Sequence, residues 1–335
     1  MIGLFVILIL VLFLPFSVKQ VEHNLEIFLF IMGSSAAAIS GTMNSYLIEK
    51  ALFDPINITI AVLVAGLLTK WLHVPLTASI LSLSRALTAR FFLALVVILL
   101  GLASSIITAI IAAIILVIIV NVLPLERQSE IRFTILACFS IGLGAALTPI
   151  GEPLSTITVS KLNEDFFYLI RLIGPEVISA VTMFGALTFI FVKPHRDSTS
   201  LSSGQSTESY NEIIIRSAKI YLFVMGLTFL GHGFEPLINK YIINLDPMLL
   251  YWINMISAIL DNATLAAAEI SPAMDPETIR AVLLGLIISG GMLIPGNIPN
   301  IIAAGKLNIT SKEWASFGVP VGLLTMAVYF IVLFI

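Results

Sequence analysis

Asp261-Asn-Ala-Thr-Leu-Ala-Ala-Ala-Glu269 and, further on, Ser289-Gly-Gly-Met-Leu-Ile-Pro-Gly-Asn-Ile-Pro-Asn300 set carboxylates, amides, a threonine, glycines and prolines between oily segments. A lipid-facing helix gains nothing from such residues, whereas a pathway holding a small polar or charged solute at mid-membrane can use all of them. The surrounding chain of 335 residues is 59% hydrophobic and 11% charged, with a mean hydropathy of +1.07. No soluble fold needs so much apolar sequence, so the chain reads as an integral membrane protein. Its apolar runs are continuous rather than alternating, which predicts an all-α polytopic fold instead of a barrel. The single cysteine, Cys138, excludes an internal disulfide and a cysteine-based metal cluster.

Apolar runs of spanning length cover 2–18, 25–45, 55–72, 166–192, 215–235 and 314–335, with a weaker one at 73–89. The first lacks a basic start and reads as a transmembrane helix rather than a signal sequence. Regions 91–162 and 247–306 are long, apolar and interrupted by polar residues. The serine-rich stretch 193–214 predicts a flexible linker between an N-terminal half, 1–192, and a C-terminal half, 215–335.

The halves share an internal repeat. Ile27-Phe-Leu-Phe-Ile-Met-Gly33 recurs as Ile220-Tyr-Leu-Phe-Val-Met-Gly226, followed by Tyr46-Leu-Ile against Tyr241-Ile-Ile and Asp54-Pro55 against Asp246-Pro247. Thr148-Pro-Ile-Gly-Glu-Pro-Leu-Ser-Thr156 then parallels Ile294-Pro-Gly-Asn-Ile-Pro-Asn-Ile301. Ordered matches of this kind are how many secondary transporters build two-sided access to one site. With a cytoplasmic linker and one re-entrant segment in each repeat, Lys50, Arg85, Arg90, Arg127, Arg132, Lys193, Arg196, Arg216, Lys219, Lys306 and Lys312 fall inside, whereas Lys19, Lys70, Lys161, Arg171, Lys240 and Arg280 fall outside. This places the N-terminus in the cytoplasm and the C-terminus outside, with the halves inverted.

Asp261 is the sharpest residue. A carboxylate in low dielectric has a raised pKa and can give up its proton when a cation arrives, the minimal chemistry of proton-for-cation exchange. The alternative is an Asp capping the next helix, with Asn262 and Thr264 as further caps. Glu269 recurs near the same helical face, or lies at the interface beside Pro272. Glu152 is the second intramembrane acid. Pro149 and Pro153 deny the helix backbone donors and Gly151 permits a turn, exposing carbonyls, while Ser155 and Thr156 offer hydroxyls. In the second half Pro295, Gly296 and Pro299 repeat the break, with Asn297 and Asn300 as amides. Ser104, Ser105 and Thr108 stand where the first half would match Asp261-Asn262-Ala-Thr264, although such hydroxyls often bond back to their own helix. His232 and Glu235 end the span 215–235, where His232 reads as an interfacial side chain or a pH sensor. No nucleophile–base or nucleotide-binding fingerprint appears, so no enzyme is expected.

Met255-Ile-Ser-Ala-Ile-Leu-Asp-Asn-Ala-Thr-Leu-Ala-Ala-Ala-Glu269 resembles the SAxxDNxPLxAA stretch of NhaD-type sodium/proton antiporters. Leu143-Gly-Ala-Ala-Leu-Thr-Pro-Ile-Gly-Glu-Pro-Leu-Ser-Thr156 resembles their GGxWSPIGDxTTTM stretch. Ser289 to Asn300 resembles their GGSMLxIGSxxG, with an end closer to the GxPPN loops of dicarboxylate and arsenite carriers. All belong to one ion-transporter superfamily, and the chain is similar to a short branch of predicted cation transporters within it. The resemblance implies inverted repeats with two re-entrant hairpins, two broken transmembrane helices and about nine full spans. The hairpins would be 91–121 and 248–274, with Ser104/Ser105 and Asp261/Asn262 at the tips, and the broken helices 131–162 and 277–305. It also implies a homodimer in the plasma membrane and Na⁺ carried at Asp261, Glu152 and Asn262, with no cofactor beyond transported Na⁺ or Li⁺ and protons. Thr264, Ser155 and Thr156 would complete the ion site, and Asn297 and Asn300 would match the carboxylate carriers' substrate loops. Where the antiporters have an acid in the first hairpin, this chain has Ser104 and Ser105. The expected function is cation/proton antiport, the alternative a Na⁺-coupled carrier of a dicarboxylate or oxyanion.

Overall fold

In a computed structural model the chain is described over residues 2–71, 88–123, 125–193, 209–241, 245–258, 262–272 and 274–335. These residues form helices and no strand. Four helices are long and apolar enough to cross a membrane: Ala89–Ile107, Tyr168–Phe191, Tyr210–Leu237 and Ser311–Phe334. Shorter apolar helices cover Ile2–Pro15, Leu25–Ser40, Ala109–Val122 and Pro247–Ile256. The expected span 73–89 lies, except for its last two residues, outside the described residues, and so does most of the linker.

Helix Arg127–Ala145 sets the directions of its neighbours. Ala89–Ile107 runs beside it in the same sense: Ser140 Oγ donates to Val97 O at 2.9 Å, Ser104 Oγ donates to Ile141 O at 2.9 Å, and Gly101 faces Gly144 with no room for a side chain. The chain turns at Thr108 and comes back through Ala109–Val122 to the start of Arg127–Ala145. Tyr168–Phe191 runs the opposite way, its Phe191 O accepting from Arg132 and Lys193 N–H donating to Ser129 Oγ at 3.2 Å. After Arg127–Ala145 comes a break and then Pro153–Leu162. The second half follows the same plan in the opposite direction: Pro276–Gly290, a break, then Ile298–Leu307. Arg127 meets Leu307 O at 3.0 Å and Asn308 O at 2.8 Å, while Cys138 lies against Pro299 O, so Ile298–Leu307 descends toward Arg127. Arg127 also pairs with Glu130 and Glu313. At the far end Arg280 pairs with the buried Glu176.

The sequence match between 27–33 and 220–226 has a different meaning from the one expected. Leu25–Ser40 and Tyr210–Tyr241 lie side by side and run parallel, not inverted: Glu26 pairs with Lys219 at 2.8 Å, Gly33 sits on Gly226, and Gly233 on Ala36 and Ala37. The repeated glycines are the contact itself, because small residues let two membrane helices approach closely. The match does not continue. Asp246 caps Pro247–Ile253 by accepting from Met248 N–H at 2.9 Å, whereas Asp54-Pro55 lies inside one continuous helix, Ser45–Trp71.

That helix also decides where the first helices lie. It finishes beside Tyr210, with Trp71 Nε1 donating to Tyr210 Oη at 3.3 Å and Lys70 over the Tyr210 ring. Lys70 therefore lies at the Arg127 end, and Lys50 toward the opposite one. Gly3 packs on Ile39, at the end where Ser311–Phe334 finishes after Tyr329 Oη donates to Glu176 O at 2.6 Å. The outer ends of the first and last helices lie at the same end of the bundle.

A side-chain carbon at Gly33 would collide with the Gly226 carbonyl, whereas one at Gly305 would meet only Ile220 at 3.6 Å. Gly33→Val is expected to cost about 1–3 kcal/mol by overpacking and to lower the melting temperature of the purified protein in detergent. Gly305→Ala should melt with the wild type; equal melting of all three proteins would refute the close packing.

Candidate functional site

The two breaks have the same backbone path. Glu152 precedes its helix at φ −156°, ψ 161°, and Asn297 does so at φ −153°, ψ 145°. Pro153 and Pro299 occupy the first turns, where a missing N–H costs nothing. Each helix is 10 residues long and ends on an asparagine in the left-handed region, Asn163 at φ 54° and Asn308 at φ 51°. The side chain one turn into each helix reaches back to the carbonyl that ended the preceding helix: Ser155 Oγ to Ala145 O at 3.5 Å, and Asn300 Nδ2 to Gly290 O at 2.9 Å and Leu293 O at 2.8 Å. Thr156 Oγ1 donates to Pro149 O at 2.6 Å. Apart from the prolines, which differ by one residue, these positions correspond at one constant offset, that between Glu152 and Asn297, so the halves are chemically unlike at the same place: an acid in one, an amide in the other.

Between them lies a cavity of about 800 Å³. One wall is the breaks, with Gly151, Glu152, Thr156, Pro295 and Asn297. Asn297 is buried, and its amide fills the space that Gly142 leaves without a side chain. Thr108 joins this wall at φ 73°, a left-handed conformation that is an outlier for a β-branched residue. It is held there by Ala109 N–H donating to Gly151 O at 2.9 Å and Ile111 N–H donating to Thr108 Oγ1 at 3.4 Å. Across the cavity stand Lys50 and Asp54 from Ser45–Trp71, and Thr228, His232 and Glu235 from Tyr210–Tyr241.

The structure thus brings together Glu152, Thr156, Asn297, Thr108 and the break residues Gly151, Pro153 and Pro295 on one cavity wall. Asn262 is buried beside it, its Nδ2 within 3.2 Å of where a Gly290 side chain would stand. Asp261 and the side chain of Thr264 lie outside the described residues. Ser155 and Asn300 are buried behind the cavity as stitches across the breaks. Ser104 and Ser105 are not at a tip. They sit inside Ala89–Ile107, donating to Gly101 O at 2.6 Å and Leu102 O at 2.7 Å, and the turn falls at Thr108. The reason is the local alternative open to any membrane hydroxyl, a bond to its own preceding turn.

His232 and Glu235 face the cavity, and so do Lys50 and Asp54, which sequence reasoning did not place among the site candidates. Only the polar Asp54-Pro55 pair between apolar runs hints at them. Glu269 is buried.

The chain belongs to the DUF1646 family, described as a protein of unknown function, whose profile matches residues 1–335. No curated protein matches the chain.

Asn300→Ala removes both hydrogen bonds across the second break and leaves the Gly290 and Leu293 carbonyls bare. The expected loss is about 1–3 kcal/mol, read as a lower melting temperature, with Asn300→Asp failing to restore it because a carboxylate cannot donate. An unchanged melting temperature in Asn300→Ala would show that the stitch is not needed.

Proposed function

We propose that this member of the DUF1646 family is a secondary transporter that exchanges a monovalent cation, Na⁺ first, for protons by alternating access. A polar track along Tyr210–Tyr241, divided in two, carries the reading. A second cavity, of about 520 Å³, follows that helix from Glu212, Arg216 and Lys219 as far as Phe223. The larger cavity takes over at Val224 and continues to Glu235. Ile301 lines both, and Ile294 of one adjoins Pro295 of the other. A substrate path interrupted near its centre by a thin apolar layer, with broken helices at the interruption, suits alternating access.

In this reading 89–122 and 247–269 are re-entrant hairpins, 127–162 and 276–307 the broken helices of an inverted pair, and 25–71 with 210–241 the scaffold. Glu152 and Asp261 alternate between proton and cation, because a buried carboxylate is stabilised by either. Asn297, Asn262, Thr264, Thr156 and the carbonyls ending Arg127–Ala145 and Pro276–Gly290 supply neutral oxygens, and helix C-termini favour positive charge. Asp54 and Glu235 add negative charge to the facing wall. The basic residues at the Arg127 end, among them Arg132, Lys193, Arg216, Lys219 and Lys306, make it the cytoplasmic face of the plasma membrane, with both chain ends outside. The protein is a carrier and not an enzyme, and the family resemblance adds a homodimer.

Lys50 in the cavity wall supports a second reading, a Na⁺-coupled carrier of a dicarboxylate or oxyanion, since an anion site needs a cationic partner.

The test uses proteoliposomes with an imposed pH gradient and a pH-sensitive dye, given Na⁺, Li⁺, K⁺ or a dicarboxylate in turn. Na⁺ or Li⁺ should collapse the gradient, and Asp261→Asn or Glu152→Gln should weaken the response about tenfold or more, roughly 1.4 kcal/mol of lost coupling. Silence to every cation, with Na⁺-dependent uptake of a labelled dicarboxylate that Lys50→Met removes, would establish the second reading instead.

A further inference from the structure

The second half buries a carboxyl that the exchange site does not use. Glu269 closes helix Asn262–Glu269 at 1% exposure, and neither carboxyl oxygen has a hydrogen-bond partner among the described residues. The group facing it, just beyond hydrogen-bond reach, is the side chain of Asn254. Asn254 is at 0% exposure, and its Oδ1 and Nδ2 are likewise without partners among the described residues. It is held in place by its backbone: its carbonyl accepts from Ser289 Oγ at 2.7 Å, and it ends helix Pro247–Ile253 where the 3₁₀ turn Asn254–Ala258 begins. Helix Asn262–Glu269 packs on Pro153–Leu162, Tyr210–Tyr241 and Pro276–Gly290, and no charged side chain on these elements acts on Glu269 among the described residues.

A carboxylate enclosed without a counter-charge is far costlier than the neutral acid, so the group keeps its proton. An asparagine amide matches a neutral acid at both atoms: the acid O–H donates to Oδ1, and Nδ2–H donates to the acid carbonyl. Against a carboxylate, Oδ1 would instead face negative charge. Burial without a counter-charge favours the protonated form, and the facing amide offers that form both a donor and an acceptor. The exposed Pro272 is a short step along the chain, toward the Arg280 end of the bundle.

We propose that Glu269 and Asn254 form a proton-binding site, with the Glu269 carboxyl neutral in this conformation and its O–H proton passed to water at the Arg280 end during transport. The release step rests on the exchange reading above; the neutral acid does not. Infrared difference spectra of the lipid-reconstituted protein at neutral pH, wild type minus Glu269→Gln, should contain the carbonyl stretch of a protonated carboxylic acid. Asn254→Leu should move that band to higher frequency, because the acid carbonyl loses its donor. In proteoliposomes Glu269→Gln should release fewer protons per cation than wild type. A difference spectrum without the band means that Glu269 is ionised and overturns the site. An unchanged proton count in Glu269→Gln overturns the release step. The band present in a wild-type protein that no cation drives to move protons would uphold the site and defeat the exchange reading.

Discussion

A helix broken inside a membrane leaves backbone carbonyls and N–H groups that no water can reach, and each must find a partner within the protein. The structure depends on how two such breaks are closed. Ser155 and Thr156 do it in the first half, Asn300 in the second, and Trp314 Nε1 adds a bond to Gly291 O at 3.1 Å from the last helix. Pro153 and Pro299 remove N–H donors that would otherwise be left over. The closing bonds come from residues one turn inside each helix, whereas a different residue stands at each helix entrance. Those residues are Glu152 and Asn297, and both line the large cavity.

Two kinds of contact surround this centre. The broken helices are tied to each other and to the last helix by specific bonds, above all by Arg127, which reaches Glu313 and the carbonyls that end Ile298–Leu307. That guanidinium supplies the positive charge a helix C-terminus favours. Leu25–Ser40 and Tyr210–Tyr241, by contrast, meet through glycines and alanines. Both cavities lie along Tyr210–Tyr241, where it faces the broken helices.

Much of the architecture was legible in the chain. Apolar runs gave the helical membrane fold, and prolines beside glycines located both breaks, because proline removes a donor wherever it falls. The same arguments put the first turn at Ser104 and Ser105, where it falls at Thr108, and left Lys50 and Asp54 out of the cavity wall. The match of Gly33 with Gly226 was real, but it records two helices pressed together in parallel, not two inverted copies. Sequence identity between segments carries no sign of direction.

What the sequence determined by itself is what depends on near neighbours: burial in lipid, helix breaks, caps such as Thr310 with Glu313, and the identity of the acids. What only the tertiary structure decided is which distant elements meet and in which sense they run: the shared side of the chain ends, the facing wall of Asp54, His232 and Glu235, and the enclosure of Glu269 by Asn254. These follow from the packing of whole helices whose partners lie far apart in sequence, and no local pattern records which helix meets which.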